Sequence, residues 1–285
     1  IVYFPYGVYL TGTINVKSNV KLYLAPGSKI KSSDNGADLP NDPGKEQSGT
    51  AEVWSRLIFF DNVENAGIFG RGEIDANGFA LIGYGISPNA IRIRHSKNIS
   101  LEGVLLMRSR GWNTHLFHSD DVTVENYKII ATRSDGINTD NSRNVTINNL
   151  FVNSHDDSCC VKSSNFDGIA DSVSNFTLKN AVLGSVKGTV KIGTETNADT
   201  ISNINYENVT VYDSREAFAI RFYDRSAISN INYKNIEIFN SGRSFLYTMA
   251  DGRAKEATVD DVTIDTVKVH GPDTVIMFDG EIGNV

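Results

Sequence analysis

The chain reads as an all-β protein, one right-handed parallel β-helix of stacked coils, and three observations lead there. A short phrase recurs along most of the sequence, apolar and polar residues alternate within it, and the recurrence is close to regular. The phrase is a polar residue, often Asn or Asp, then apolar-polar-apolar, a polar pair and a second alternating run. It stands as KNISLEGVLLM from Lys97, DDVTVENYKII from Asp120, RNVTINNLFV from Arg143 and SNFTLKNAVL from Ser174. It returns as SNINYENVTV from Ser202, SNINYKNIEI from Ser229 and DDVTIDTVKV from Asp260.

Alternation of period two marks strands with one buried face. The first apolar residues of the phrase are Ile99, Val122, Val145, Phe176, Ile204, Ile231 and Val262. Their numbers rise in steps of 23, 23, 31, 28, 27 and 31. Two or three strands in such a repeat make one turn of a β-solenoid. The spaced leucines and helical segments of leucine-rich repeats are missing, and a propeller blade needs roughly 40 residues. Asn and Asp before the strands suit corners, since they tolerate left-handed backbone and bond locally. Four N-x-S/T sequons, at Asn98, Asn144, Asn175 and Asn208, fall inside this phrase, where a corner Asn followed by a strand Thr or Ser explains them. The N-terminal segments NVKLYLAPGSKI from Asn19 and RLIFFDNVENAGIFGRGEID from Arg56 are also strand-rich. Between them, Ser33 to Thr50 is polar and reads as a long loop, the kind of element that walls a groove on a solenoid.

The 285 residues, 40% apolar and 21% charged, read as one elongated domain over 1–285. The chain starts on a strand, Ile1-Val2-Tyr3-Phe4-Pro5, with no signal peptide, and so reads as trimmed at its N-terminus. A net charge of -7 disfavours nucleic acid or an anionic membrane as partner. No apolar run approaches the roughly 20 residues that span a bilayer. Cys159 and Cys160 are adjacent, so on a strand they face opposite sides and form no ordinary disulfide.

A solenoid aligns equivalent positions of successive coils. After the second strand of each coil stand Arg133-Ser134-Asp135-Gly136, then His155-Asp156-Asp157, then Lys187-Gly188-Thr189-Val190-Lys191, then Ala219-Ile220-Arg221-Phe222-Tyr223. Asp135 and Asp156 are about one repeat apart, which predicts adjacent rungs of one face. Crowded carboxylates raise at least one pKa. Glycosidic hydrolysis needs one protonated carboxyl for the leaving oxygen and one ionised carboxylate to activate water or attack. An Asp-Asp pair alone is more often a solvated corner; the coil-to-coil coincidence with Asp135 favours a site.

These segments resemble glycoside hydrolase family 28, the polygalacturonase family, over nearly the whole chain. The resemblance runs from VYFPYGVYLTGTINVKSNVKLYLAPGSKI through GRGEIDANG to the aspartate coils, and includes Arg110-Gly111-Trp112-Asn113-Thr114-His115. It implies that Asp156 is the general acid and that Asp135 and Asp157 position and deprotonate water, with inversion. Two motifs depart. Lys187-Gly188-Thr189 stands where the family has Gly-His-Gly, and Arg221-Phe222-Tyr223 where it has Arg-Ile-Lys. Those basic residues help bind galacturonate, so their loss points away from standard polygalacturonate and toward a neutral or differently charged glycan, an α-glucan of the dextranase-like relatives included. Lys187 and Lys191 keep an acidic substrate open.

Other candidates for sugar binding are Arg221, Tyr223, Lys187, Lys191, Lys162, His115 and Glu195. Arg221 faces the groove or pairs with a neighbouring rung. Lys162 is expected to pair with Asp156 or Asp157 and lower one pKa. Glu195 and Tyr223 bond sugar hydroxyls or lie on the surface, and Trp112 is a platform or core. His95, His118 and His155 show no partner pattern. No residue set has zinc or EF-hand spacing, so neither metal nor cofactor is expected. A polysaccharide or oligosaccharide partner implies an extracellular or periplasmic place of action. Two further readings stay open: a lyase on the same fold, with Lys187, Lys191 or Arg221 as base, and a non-catalytic glycan-binding β-helix.

Overall fold

The computed structural model describes residues 1–41, 53–130, 132–250, 257–271 and 277–279. The chain is a right-handed parallel β-helix. Each coil gives one strand to each of three parallel sheets, and ten coils stack among the described residues. The first sheet starts with Val2–Phe4, Lys21–Leu24, Glu64–Gly70 and Lys97–Glu102. The second starts with Gly7–Thr11, Ser28–Ser32, Glu73–Asp75 and Leu105–Met107. The third starts with Ile14–Val16, Val53–Asp61, Ile86–Arg94 and Thr114–Phe117, and continues with Ile137–Asp140 and Cys159–Ser163. Farther on, long strands such as Val173–Thr196 and Thr200–Phe222 turn the corners and serve all three sheets.

The repeat positions stack in register. Ile99 lies opposite Val122, Val122 opposite Val145, Val145 opposite Phe176, and so on through Ile204 and Ile231 to Val262. None of the seven is more than 5% exposed. Each buried side chain of this size stabilises the fold by about 1.5–3 kcal/mol, so the column favours one register over any slip. Aromatics fill the C-terminal half of the core, where Tyr206 and Tyr233 stack with ring centroids 5.2 Å apart. Cys159 sits in the core and Cys160 on the opposite face of the same strand, both as buried free thiols.

The corners carry the expected asparagines. Asn65, Asn98, Asp121, Asn144, Asn175, Asn203 and Asn230 all have φ between 53° and 58°. Their side chains form an inter-coil ladder: Asn98 donates to Asn65, Asn144 to Asp121, Asn175 to Asn144 and Asn203 to Asn175, at 2.7–3.1 Å. Asn208 donates to Asn180 in a second ladder. All four sequons thus place their Asn in structural corners. The described part of the long loop, through Asn41, is fastened by Arg56, whose guanidinium donates to the Pro40 and Asn41 carbonyls. The rest of that loop lies outside the described residues.

Asn144→Ala removes both ladder bonds and puts a Cβ residue without a local acceptor at φ 55°. We expect urea unfolding to show a loss of about 1–3 kcal/mol. Asn144→Gly, which tolerates the backbone but not the bonds, should cost less. Wild-type stability in Asn144→Ala would show that the ladder contributes nothing.

Candidate active site

The third sheet presents its outer face to a groove of about 290 Å³ lined by Asp135, Asp156, Asp157, Lys162, Lys187, Lys191, Thr194, Glu195, Arg215, Glu216, Arg221 and Tyr223. Register places the carboxylates. Ile137 pairs with Cys159, and the Gly136 amide donates to the Asp157 carbonyl at 2.8 Å. Asp157, not Asp156, is therefore the rung neighbour of Asp135. The expectation from the sequence spacing is corrected by one position. The glycine after Asp135 has a steric reason: a Cβ on Gly136 would stand 2.3 Å from the Ser158 carbonyl oxygen.

Asp135 and Asp157 are buried, at 4% and 5% exposure, while 29% of the Asp156 side chain is open. Asp156 accepts from Lys187 Nζ at 2.7 Å and from the Asp157 amide at 3.0 Å. Asp157 pairs with Lys191. Asp135 has a looser partner, Lys162 Nζ at 3.8 Å. Burial, the charge of Asp157 and that of Asp156 push its carboxyl pKa up to about 7, against the pull of Lys162 and Lys191. Burial works against the charge of Lys162, yet Glu195, Cys160, Asp135 and Asp140 hold its pKa above the ordinary value. Burial likewise opposes ionisation of Glu195, but Lys162 and Lys191 bring its pKa below the usual range.

The expected pairing of Lys162 with Asp156 or Asp157 is not what the geometry gives. Lys162 sits between Asp135 and Glu195, 3.3 Å from the latter, with its ammonium 4.1 Å from the Trp112 ring centroid. Trp112, only 8% exposed, is thus a floor beneath Lys162 rather than a sugar platform. His115 also departs from expectation. It is wholly buried, its Nε2 lies 3.3 Å from Asp140, and its pKa falls to about 4 because burial penalises the imidazolium. It offers no surface to a sugar. Arg221 lines the groove and also pairs with Glu216, which precedes it on its own coil and is buried at 1%. Lys187, Lys191, Glu195 and Tyr223 all reach the groove.

The reading of the sequence missed Glu216, Arg215, Thr194 and Cys160. Glu216 carried a signal, a carboxylate within an otherwise apolar strand run toward Arg221. Gly188 has a meaning beyond a lost histidine: a Cβ there would lie 2.6 Å from Asp157 Oδ1. A side chain at 188 would press on the carboxylate.

Asp135, Asp157 and Cys160 each bring a potential metal ligand within 4.8 Å of the others. Lys191 and Lys162 already stand against the two carboxylates, and burial with the nearby Asp157 charge raises the thiol pKa well above its ordinary value. The set suits protons and water better than a cation.

Among known proteins, the chain is 25% identical to the endo-polygalacturonase of Pectobacterium carotovorum subsp. carotovorum, over 72% of its own length and 54% of that protein. It is 27% identical to a probable polygalacturonase of Vitis vinifera, over 56% of its length and 36% of that protein. The chain thus spans about a third to a half of the curated relatives it matches. Its coils superpose on the exopolygalacturonase of Thermotoga maritima with a TM-score of 0.80 at 18% identity, covering 94% of this chain and 73% of that one. The profile of the glycosyl hydrolases family 28 matches residues 13–270, and the chain belongs to that family.

Proposed function

We propose that this chain hydrolyses glycosidic bonds of a polysaccharide or its oligosaccharides by inversion, using Asp135, Asp156 and Asp157. The observation that carries this reading is the register that gathers three carboxylates, two buried and one open, at one point of an open groove. Asp156 alone is open enough to reach a glycosidic oxygen, and it serves as general acid. Lys187 Nζ stands 2.7 Å from its carboxylate, so a sugar that reaches Asp156 meets this ammonium as well. Asp135 and Asp157, with carboxylate oxygens within 4.8 Å, hold one water between them as a base pair. That spacing is too short for the acid and base of an inverting enzyme, about 6.5–9.5 Å apart, but it suits two groups on the same side of the sugar.

The charges of the groove support a neutral or unusually charged substrate. Five carboxylates (Asp135, Asp156, Asp157, Glu195, Glu216) face five cations (Lys162, Lys187, Lys191, Arg215, Arg221). Lys187, Lys191, Lys162 and Arg221 each stand against one of these acids, which leaves a groove balanced in charge. A polyuronate would have to compete with these internal partners. No helix among the described residues is long and apolar enough to cross a membrane. A polymer substrate places the work outside the cytoplasm, in an extracellular or periplasmic space.

Digestion of a panel of neutral polysaccharides beside polygalacturonate, with Asp156→Asn as control, tests both parts. We expect cleavage of a neutral member, and a fall in kcat of about 10²–10⁴-fold in the variant with KM little changed. Cleavage of polygalacturonate alone would overturn the substrate while leaving hydrolysis; equal rates for the two proteins would overturn the mechanism. NMR of the first-formed anomer should show inversion, and a retained configuration refutes it. The base must be ionised, and the Asp135 pKa lies near 7, so kcat/KM should fall as pH drops through about 7. Lys162→Met, which removes a stabilising charge, should move that acid limb to higher pH. A wild-type limb in the ordinary carboxylate range would show that Asp135 is not the group that titrates.

A further inference from the structure

Register carries the column of Asp135 and Asp157 two coils farther. Cys159 pairs with Val190 and Val190 with Phe218, so the position two residues upstream runs from Asp157 through Gly188 to Glu216. Gly188 lies opposite Glu216, and the Ser158 amide donates to the Gly188 carbonyl. Two carboxylates thus flank a residue without a side chain, and two rung spacings, roughly 9–10 Å, separate their backbones. Among the described residues, a Cβ on Gly188 would meet only the Asp157 carboxyl within 4 Å. The rest of that position is open, and it lies on the groove floor next to the reacting groups.

The Glu216 side chain is 2% exposed, yet it lines the groove. Arg221 Nη2 donates to its Oε1 at 2.5 Å, and Arg215 Nε stands 3.4 Å from the same oxygen. Arg215 is half exposed, whereas Arg221 is only 17% exposed and is the deeper of the two. A guanidinium has the fork geometry that takes a carboxylate in two parallel hydrogen bonds. Glu216, on the same strand, already supplies the carboxylate for Arg221. Burying such a pair brings little net stability; its effect falls on the ligand. A uronate reaching the Gly188 position would have to displace Glu216 from Arg221, and it would meet the charge of Asp157 on its other side. A hydroxyl group meets neither obstacle, since it donates to a carboxylate and accepts from a guanidinium.

We propose that Glu216 is the specificity-determining residue of this groove: by holding Arg221 it closes the Gly188 position to a uronate carboxylate and leaves it to an uncharged, hydroxyl-bearing sugar. The inference rests on the reading of the groove as that of a neutral-glycan hydrolase, and it adds the residue and the position that enforce the choice. Glu216 acts through Arg221 and takes no part in bond cleavage. The charge balance agrees: without Glu216, five cations would face four carboxylates in the groove lining, five less one.

Binding to the full chain carrying Asp156→Asn separates recognition from cleavage. The probes are trigalacturonate and its C6-reduced counterpart, which share rings and linkage and differ in the charged group alone. Adding Glu216→Gln to this parent should tighten trigalacturonate at least about tenfold in calorimetry, less so at high salt, and leave the reduced trisaccharide no tighter than before. The gain should survive a further Arg215→Gln and vanish with a further Arg221→Gln, a pattern that loosened packing does not produce. Circular dichroism checks folding; where Glu216→Gln fails to fold, its combination with Arg215→Gln, which removes one charge of each sign, carries the test. No gain, or a gain that outlasts Arg221→Gln, overturns the inference and leaves the neutral-glycan reading intact. Cleavage of polygalacturonate alone by the wild-type chain overturns that reading and the inference together.

Discussion

The parallel backbone ladder between coils is the constraint from which the site follows. Each coil hydrogen-bonds to the next residue by residue in all three sheets, so a side chain's position is fixed by its neighbour one coil away rather than by its neighbour in sequence. The apolar columns make any slip costly, because a shift of one residue would turn a whole strand inside out. The asparagine ladders pin the corners at the same register. Chemistry on the outer face inherits this precision. Asp135 meets Asp157 because Ile137 meets Cys159, and Lys162 comes beside Asp135 because its own strand pairs with Ile137–Asp140.

Stacking also crowds charges, and the groove shows how this is managed. Partly buried ion pairs are expensive to desolvate and bring little net stability. Their value here is positional: each carboxylate but one is held by a close ammonium or guanidinium. The exception is Asp135, whose nearest ammonium stands 3.8 Å away. Deep burial with a distant counter-charge sets it apart from the well-paired Asp157. Three chemically identical side chains thereby become inequivalent through surroundings alone.

Much of the fold was legible because its signal is local and repeated. Period-two alternation and corner asparagines can be read in any one coil, and the seven apolar anchors fell in register without adjustment. The candidate carboxylates were legible for the same reason, but their partners were not. The Asp135–Asp156 spacing missed the true neighbour by one, since the coil that carries Ile137 onto Cys159 also carries Asp135 onto Asp157. Lys162 was expected beside Asp156 or Asp157, on its own coil, but it reaches across to Asp135 on the preceding coil, whose strand Ile137–Asp140 pairs with its own, and to Glu195 on the following one. His115 was misplaced because burial depends on what packs above it, here Trp112 and Phe117. His95 and His118 stand one repeat step of 23 residues apart, the step from Ile99 to Val122, so the repeat that stacks the anchors stacks them too, although neither carries a motif of its own.

The irregular repeat lengths say where the fold departs from bare stacking. The steps from Ile99 to Val122 and from Val122 to Val145 are equal, and the next, to Phe176, is longer. The additional residues fall in the loop 164–172, since the strands on either side keep their pairing. An insertion that leaves the ladders intact has to go outward, and this one leaves the sheet immediately after Ser163. Its first residue is fastened to the coil below, with the Ser164 amide and hydroxyl both donating to the buried Asp140 carboxylate. Its next aromatic, Phe166, packs on Trp112, which underlies Lys162, which faces Asp135. The far end of the loop, where Asp167 and Asp171 meet His118, therefore acts on the same short chain of contacts that sets the environment of the least well-neutralised carboxylate in the groove.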